Sequence, residues 1–232
     1  MIVFLVPVGG DRYQLYVEIP PEEAAADATP DVGGNGWVAR QVHRFRDMLA
    51  EAERARLRRE SGEADDGSGL WQKIMRKVAE TIAEQRLLWN LRRQTQAEVR
   101  HPDDMNNAQA LQEVKAEFTR DVSRHLRWMI VDGVLMIATA IVFTLIPGPN
   151  LIAWYFTFRA IGHFLSWRGA RKGLKDVEWR AEASAPLSAV RAALDLPGHE
   201  RRARLSEIGE SLGLKHLAGF VDRMFAKGKK KA

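Results

Sequence analysis

Three side chains that can hold or pass a proton interrupt two otherwise apolar stretches of the chain. Asp132 lies within residues 128–146, and Arg159 and His163 lie within residues 151–167. If the two stretches fold back on each other as antiparallel helices, Asp132 and His163 are almost level, and Arg159 lies about one helical turn closer to the connection. A carboxylate beside a histidine can bind and release protons near neutral pH.

The spacing predicts which of these side chains meet. Tyr155, Arg159 and His163 recur at every fourth residue and therefore share one helix face. We expect Asp132 to bond His163 or Arg159, because an unpaired charge near the centre of a bilayer costs about 2.5–3.5 kcal/mol. Asp132, Arg159, His163 and Tyr155 are thus candidates for proton or ion coupling. In the competing interpretation Arg159 extends to the lipid headgroups, and Asp132→Asn leaves folding and function intact.

The two stretches predict a helical hairpin in a membrane. Residues 128–146 (WMIVDGVLMIATAIVFTLI) carry one charge and would extend about 28 Å as a helix, close to the thickness of the hydrocarbon core. Residues 151–167 would extend about 25 Å, which leaves open a full span or a re-entrant dip. The hairpin turn is Pro147, Gly148, Pro149 and Asn150. A buried hairpin in a soluble protein is the alternative, although a soluble helix normally keeps a polar stripe.

The residues that flank the hairpin predict its orientation. Trp128 and Trp167 stand where aromatic anchors lie at a membrane interface. Arg168, Arg171 and Lys172 follow the second stretch, whereas the turn is uncharged. By the positive-inside rule, both termini are expected in the cytoplasm.

The remainder of the chain predicts a mainly α-helical protein. We divide it into a β-hairpin (1–19), a linker (20–36), long helices with a break at 61–69 (37–127), the membrane hairpin (128–167), a basic juxtamembrane linker (168–186), a C-terminal helical bundle (187–226) and a basic tail (227–232). Within this scheme a helix runs to His101, and Pro102 followed by Asp103 and Asp104 starts the next helix.

Composition argues against an enzyme. The 232 residues contain no cysteine, which excludes thiolate metal sites and a cysteine nucleophile. The sequence has no GxSxG, Walker or HExxH motif, and the six histidines have no metal-ligand spacing. We therefore expect no catalytic residue, no metal and no cofactor.

The C-terminal residues leave a second class of function open. Residues 205–224 (LSEIGESLGLKHLAGFVDRM) resemble a helix-turn-helix, and the surrounding region is basic. The alternative is a small bundle in which the apolar side chains simply pack. Because the second helix has few side chains suited to base edges, we do not expect nucleic acid as a partner.

Several segments together resemble the mitochondrial K+–H+ exchange-related family. They are residues 146–174 (IPGPNLIAWYFTFRAIGHFLSWRGARKGL), 84–93 (EQRLLWNLRR), the HPDD motif at 101–104, the FLVPVG opening, and the C-terminal pattern of Leu212, Leu214, Leu217 and Phe220. The resemblance implies an integral membrane protein linked to potassium–proton exchange. The acidic N-terminus is unlike a mitochondrial presequence, which suggests a bacterial relative in the plasma membrane.

Physical limits shape the expected role. Transporter sites usually form between repeats or bundles of several helices, so two short segments cannot enclose an ion path alone. We expect a component or regulator of a cation–proton antiport system, acting as a homo-oligomer or with a separate transporter subunit, with the lipid bilayer, K+ and H+ as partners. A membrane-anchored scaffold without a transport role is the alternative.

Overall fold

A computed structural model describes residues 1–18, 85, 87–144 and 151–229. Its strands are β1 (Ile2–Pro7), β2 (Tyr13–Tyr16), β3 (Gln96–Pro102) and β4 (Glu178–Ser184). Its helices are α1 (Asn107–Thr144), α2 (Leu151–Lys175), α3 (Ala185–Leu194), α4 (Gly198–Leu212) and α5 (Leu217–Lys229). The end of a further helix occupies residues 87–91. The expected mainly helical fold with an N-terminal β-hairpin is confirmed.

The chain divides into two compact units. The sheet unit comprises residues 1–18, 94–119 and 174–232. The helical unit comprises residues 19–93 and 120–173. The predicted linker at 20–36, the predicted helices between 37 and 84, and the predicted turn at 147–150 lie outside the described residues.

The sheet unit is built on a four-stranded sheet in the order β2-β1-β3-β4. The β1–β2 pair is the predicted antiparallel hairpin, whereas β1 pairs β3, and β3 pairs β4, in parallel. Gly9 and Gly10 make the hairpin turn with φ of 114° and 56°. Such positive values favour glycine because it has no Cβ to clash with the backbone.

Side chains on one face of β1 form the core beneath the C-terminal helices. Phe4, Val6 and Val8 alternate along the strand and pack in one cluster with residues of α3, α4 and α5. The members from the helices include Leu187, Val190, Leu205, Ile208, Leu217 and Val221. The C-terminal helices are therefore a layer on the sheet, not a separate bundle.

Helix α1 begins with a capping box that the sequence analysis missed. Gln109 donates its backbone N–H to Oδ1 of Asn106 at 2.9 Å, and Asn106 donates its own to Oε1 of Gln109 at 3.0 Å. This reciprocal pair satisfies two donors at the start of the helix. The prediction that Pro102 begins the helix is wrong, because Pro102 ends β3 and α1 starts at Asn107.

Two further predicted boundaries are wrong, because the residues involved form strands that pair in parallel within the sheet. Residues 96–102 form β3 and not the end of a helix, and the predicted linker at 168–186 is the end of α2 followed by β4. Both strands alternate charged and apolar residues, and pairing between distant segments decides their conformation. The local periodicity of the sequence does not reveal such pairing.

Close contacts to α2 define the helical unit. A Cβ added to Gly169 would lie 1.7 Å from the carbonyl oxygen of Leu88, so only glycine permits this approach. The indole Nε1 of Trp89 donates to Oγ of Ser166 at 2.9 Å and to the carbonyl oxygen of Gly162 at 3.2 Å. These contacts fix residues 87–91 against α2.

The predicted membrane-embedded hairpin finds no support in the described helices. Within the part of the chain that the structure describes, no helix combines the length and the apolar character needed to cross a membrane.

Candidate proton-binding cluster

Asp132 is fully buried and lies between two cationic or protonatable groups of α2. Its Oδ2 lies 3.3 Å from Nε of Arg159 and 3.5 Å from Nε2 of His163. Neither carboxylate oxygen has a hydrogen bond of ordinary geometry among the described residues. The predicted contact of Asp132 with Arg159 or His163 is confirmed for both: the contact with Arg159 is an ion pair, and the contact with His163 is a polar contact longer than an ordinary hydrogen bond.

A second histidine extends the cluster along α1. Nδ1 of His125 lies 2.9 Å from Nδ1 of His163, and the two rings are tilted with centroids 5.1 Å apart. Both side chains are buried. Because a neutral imidazole has one donor and one acceptor nitrogen, a hydrogen bond at this distance requires one ring to carry its proton on Nδ1. His125, His163 and Asp132 thus form one continuous chain of protonatable groups.

Arg159 closes the other side of the cluster. Its guanidinium lies over the ring of Trp128 at 5.7 Å and over the ring of Tyr155 at 5.5 Å. Nη1 donates to the hydroxyl of Tyr155 at 3.4 Å. The cation is therefore held by a carboxylate and two aromatic faces, a setting that compensates for partial loss of water.

Helical spacing places each member. On α1, His125 and Asp132 are seven residues apart, which brings them to one face two turns apart. On α2, Tyr155, Arg159 and His163 follow at every fourth residue, as the sequence analysis predicted. The cluster therefore needs only two helices in contact.

The electrostatic surroundings distinguish His125 from an ordinary surface histidine. Burial lowers the pKa of His125 to about 3, and the charge of Arg124 and the neighbouring His163 act in the same direction. Near neutral pH the ring is uncharged. One turn earlier on α1, burial raises the pKa of Asp121 above its usual range, although Arg124 and Arg120 oppose the shift.

The residues predicted to lie at a membrane interface have varied settings. Trp128 is 47% exposed, Arg168 is exposed, and the guanidinium of Arg171 lies over the ring of Trp167 at 5.4 Å. Lys172 instead donates from Nζ to the carbonyl oxygen of Arg92 at 3.0 Å. It therefore caps the helix that ends near residue 91, a contact that the sequence analysis did not foresee.

Sequence reasoning missed His125 as a member of the cluster. It lies three residues before the apolar stretch and was counted only among histidines without ligand spacing. Its seven-residue separation from Asp132 on a predicted helix was the available signal.

The HPDD motif belongs to the sheet unit and stabilises its fold. Ser188 of α3 donates its hydroxyl to Asp103 and accepts the backbone N–H of Asp103 at 2.9 Å. Asp104 pairs with Nε of Arg191 at 2.9 Å. The prediction that these acids mark a helix start is wrong, because the first turn of α1 contains no acid and both side chains contact α3.

A comparison with protein families identifies the chain. Residues 3–176 match the model of a family described as mitochondrial K+–H+ exchange-related. The chain belongs to this family. The match contains β2, β3, α1, α2 and all of β1 except Ile2. It therefore contains the whole His125–His163–Asp132–Arg159 cluster, whereas β4 and α3 to α5 follow it.

Two other comparisons gave no match. Neither the curated proteins nor the solved structures include a chain that matches this one.

Proposed function

We propose that this protein is a membrane-anchored component or regulator of a potassium–proton exchange system, in which residues 128–167 form the membrane hairpin. Membership of the K+–H+ exchange-related family supports the functional class. The arrangement of polar and apolar residues on α1 supports the membrane anchor, and it is the observation that carries the proposal.

Helix α1 has inverted polarity over residues 130–137. Its charged residue, Asp132, is fully buried, whereas large apolar side chains face outward. The most exposed are Ile130 at 56%, Val134 at 61% and Ile137 at 57%. A helix in water buries its apolar face and exposes its charges, so the opposite arrangement suits a lipid environment, where charges turn towards protein.

The exposed apolar residues are contiguous along the helix. Leu126, Trp128, Val131 and Leu135 are also more than one-third exposed. Scattered apolar residues on a surface are normal, but a continuous apolar patch marks contact with a membrane or with another protein. We take the membrane as the principal partner and a further copy or a transporter subunit as the second.

The role as component or regulator follows from the size of the hairpin. An ion path needs more helices than one hairpin supplies, so the protein would act as a homo-oligomer or beside a transporter. K+ and H+ are the proposed ions. A membrane-anchored scaffold is the alternative, and absence of enzymatic activity stays a prediction.

The flanking charges support an orientation. Arginines precede Trp128, and Arg168, Arg171 and Lys172 follow the second helix of the hairpin, so both termini are proposed to lie on the cytoplasmic side. We propose the bacterial plasma membrane as the location, while the family's description refers to mitochondria.

A pair of matched substitutions tests the anchor. Val134→Asp introduces a charge into the exposed apolar patch, and Ala116→Asp introduces the same charge at an exposed position earlier on α1, within the sheet unit. The full chain is expressed, and membranes are extracted with carbonate and floated on a density gradient. We expect wild type and Ala116→Asp to float. Val134→Asp should be depleted, because a charge at the bilayer centre costs about 2.5–3.5 kcal/mol.

The outcomes separate the alternatives. Release of all three proteins by carbonate would contradict a membrane anchor. If wild type floats, potassium-driven proton flux is measured in liposomes that contain the purified protein. Flux in wild type and its loss in Asp132→Asn would support a transport component, whereas no flux in either would favour a regulator or scaffold.

A further inference from the structure

We propose that His125, His163 and Asp132 form a proton relay with a defined direction, in which His125 receives the proton and Asp132 is its terminal acceptor. This inference rests on the proposed function, since it supplies the proton path of the exchange system. It assigns to His125 a role that neither the family match nor the sequence analysis gives it.

The contacts favour one pair of resting tautomers. Oδ2 of Asp132 faces Nε2 of His163 at 3.5 Å and is held by Arg159 at 3.3 Å. In the proposed resting state Asp132 is ionised beside Arg159, and because an ionised carboxylate only accepts, Nε2 of His163 is the nitrogen that carries the proton. Nδ1 of His163 is then an acceptor, and the ring that faces it at 2.9 Å, His125, must donate from its own Nδ1.

This order leaves Nε2 of His125 as the nitrogen that accepts an incoming proton. Because His125 is 1% exposed, a local opening must first admit protonated water to Nε2 of His125. When the water delivers its proton there, the proton on Nδ1 of His125 moves to Nδ1 of His163. The proton on Nε2 of His163 then moves to Oδ2 of Asp132. Three N–H or O–H bonds form and three break, counting the O–H bond of the donor water, and one positive charge moves along the chain.

The distances agree with such a relay, with one short movement. The contact between the histidines already has the length of a hydrogen bond, whereas the contact between His163 and Asp132 is about 0.5 Å longer than a usual N–H···O bond. A small rotation of either side chain would close it. After transfer both rings carry the opposite tautomer, so the relay resets only when Asp132 has lost its proton and the rings have turned.

The surrounding charges disfavour a histidine that keeps the extra proton. The charge of Arg124 on α1 acts against an imidazolium at His125, whose side chain is buried as well. A proton therefore passes through the rings to the carboxylate, which is the only anion within the contacts described for the cluster.

The relay runs along α1 from His125 towards the apolar stretch. His125 precedes Trp128, whereas Asp132 lies beyond it, and seven residues of helix separate the two by about 10 Å along the axis. In the proposed hairpin this path leads from the side of the termini into the apolar region.

Histidine tautomers give a direct test on the full chain. The protein is labelled with ¹⁵N-histidine, purified in detergent and studied by NMR at pH 7.5. The signals of the six histidines are assigned by single His→Gln substitutions. We expect His125 protonated on Nδ1, His163 protonated on Nε2, and a scalar coupling between the two Nδ1 atoms. Asp132→Asn should remove the preference of His163 for Nε2, whereas Glu113→Gln, in the sheet unit, should not.

The reverse tautomers, absence of the coupling, or charged rings at pH 7.5 would overturn the relay. Proton flux in liposomes provides the second readout. His125→Gln should lower the flux at least tenfold while flotation of the protein with membranes stays unchanged, and full flux would also overturn the relay. If wild type carries no flux, the proposed role as a transport component is wrong, and the tautomers still test the relay.

Discussion

Gly169 of α2 lies so close to the carbonyl oxygen of Leu88 that a Cβ atom at position 169 would be 1.7 Å from it. Backbone meets backbone at this point, and no side-chain movement can relieve the overlap. The contact lies beside Ser166 and Gly162, which hold Trp89. The helical unit therefore depends on small residues on one face of α2.

Gly169→Ala should destabilise the protein because the helix ending near residue 91 would have to move away from α2. We expect a loss of about 3 kcal/mol or more, at the upper end of the usual cost of overpacking. Gly133→Ala is the matched control, since nothing lies within 4 Å of a Cβ at position 133. It should raise stability by up to about 1 kcal/mol, because alanine is the better helix former. Thermal unfolding in detergent measures both, and equal midpoints would refute the contact.

The pair formed by Asp132 and Arg159 should show strong coupling. Asp132→Asn leaves the guanidinium without its anion, and Arg159→Met leaves a buried carboxylate alone, a change that costs about 3–5 kcal/mol for fully buried pairs. Since the Arg159 side chain is 27% exposed, we expect about 1–3 kcal/mol for Asp132→Asn. The double variant should recover part of the loss. A double-mutant cycle by thermal unfolding checks this, and strictly additive losses would show that the two side chains do not interact.

Acid should destabilise the helical unit through His125. The pKa of this residue is about 3 in the folded protein against an ordinary value of 6.5. The unfolded chain binds more protons between these pH values, so the contribution is fully present above pH 6.5 and is lost as the pH falls towards 3. At pH 5 the loss should reach about 2 kcal/mol.

The comparison of thermal midpoints at pH 7.5 and pH 5 measures that loss. His125→Asn should show a smaller fall in midpoint than wild type. His199→Asn is the control, because the side chain of His199 is 85% exposed and should leave the fall unchanged. A fall in His125→Asn as large as in wild type would contradict the assignment.

The capping box at the start of α1 should contribute measurably to the sheet unit. Asn106→Ala removes the acceptor for the backbone N–H of Gln109 and should cost about 1 kcal/mol. For a chain of this size that loss lowers the midpoint of thermal unfolding by roughly 2–4 °C. Gln109→Glu keeps a side-chain acceptor for the N–H of Asn106 and should unfold like wild type. A change in the control as large as in Asn106→Ala would show that the box is not the cause.

The predictions succeeded where a local sequence pattern is enough to decide the structure. The hairpin of β1 and β2 follows from two alternating apolar runs around Gly9 and Gly10. The meeting of Asp132 with Arg159 and His163 follows from helical spacing and from the cost of an unpaired buried charge.

Prediction failed where distant segments decide the structure. Strands β3 and β4 form because they pair in parallel across the long insertion of α1 and α2, and neither has the apolar run of a typical buried strand. His125 was missed because it lies outside the apolar stretch that drew attention to Asp132. Its contact with His163 depends on how α1 packs against α2, and the spacing along α1 does not determine that packing.

Accessibility of single cysteines tests the central claim most directly, since the natural chain contains no cysteine. Spin labels are attached to Ile130→Cys, Val134→Cys and Ile137→Cys, with Ala116→Cys as the control, in protein reconstituted into liposomes. We predict that the first three labels collide with oxygen and are shielded from a water-soluble nickel reagent, and that the label at position 116 behaves in the opposite way. Nickel access at positions 130, 134 and 137 equal to that at position 116 would contradict a lipid-facing helix and, with it, the membrane-anchored role.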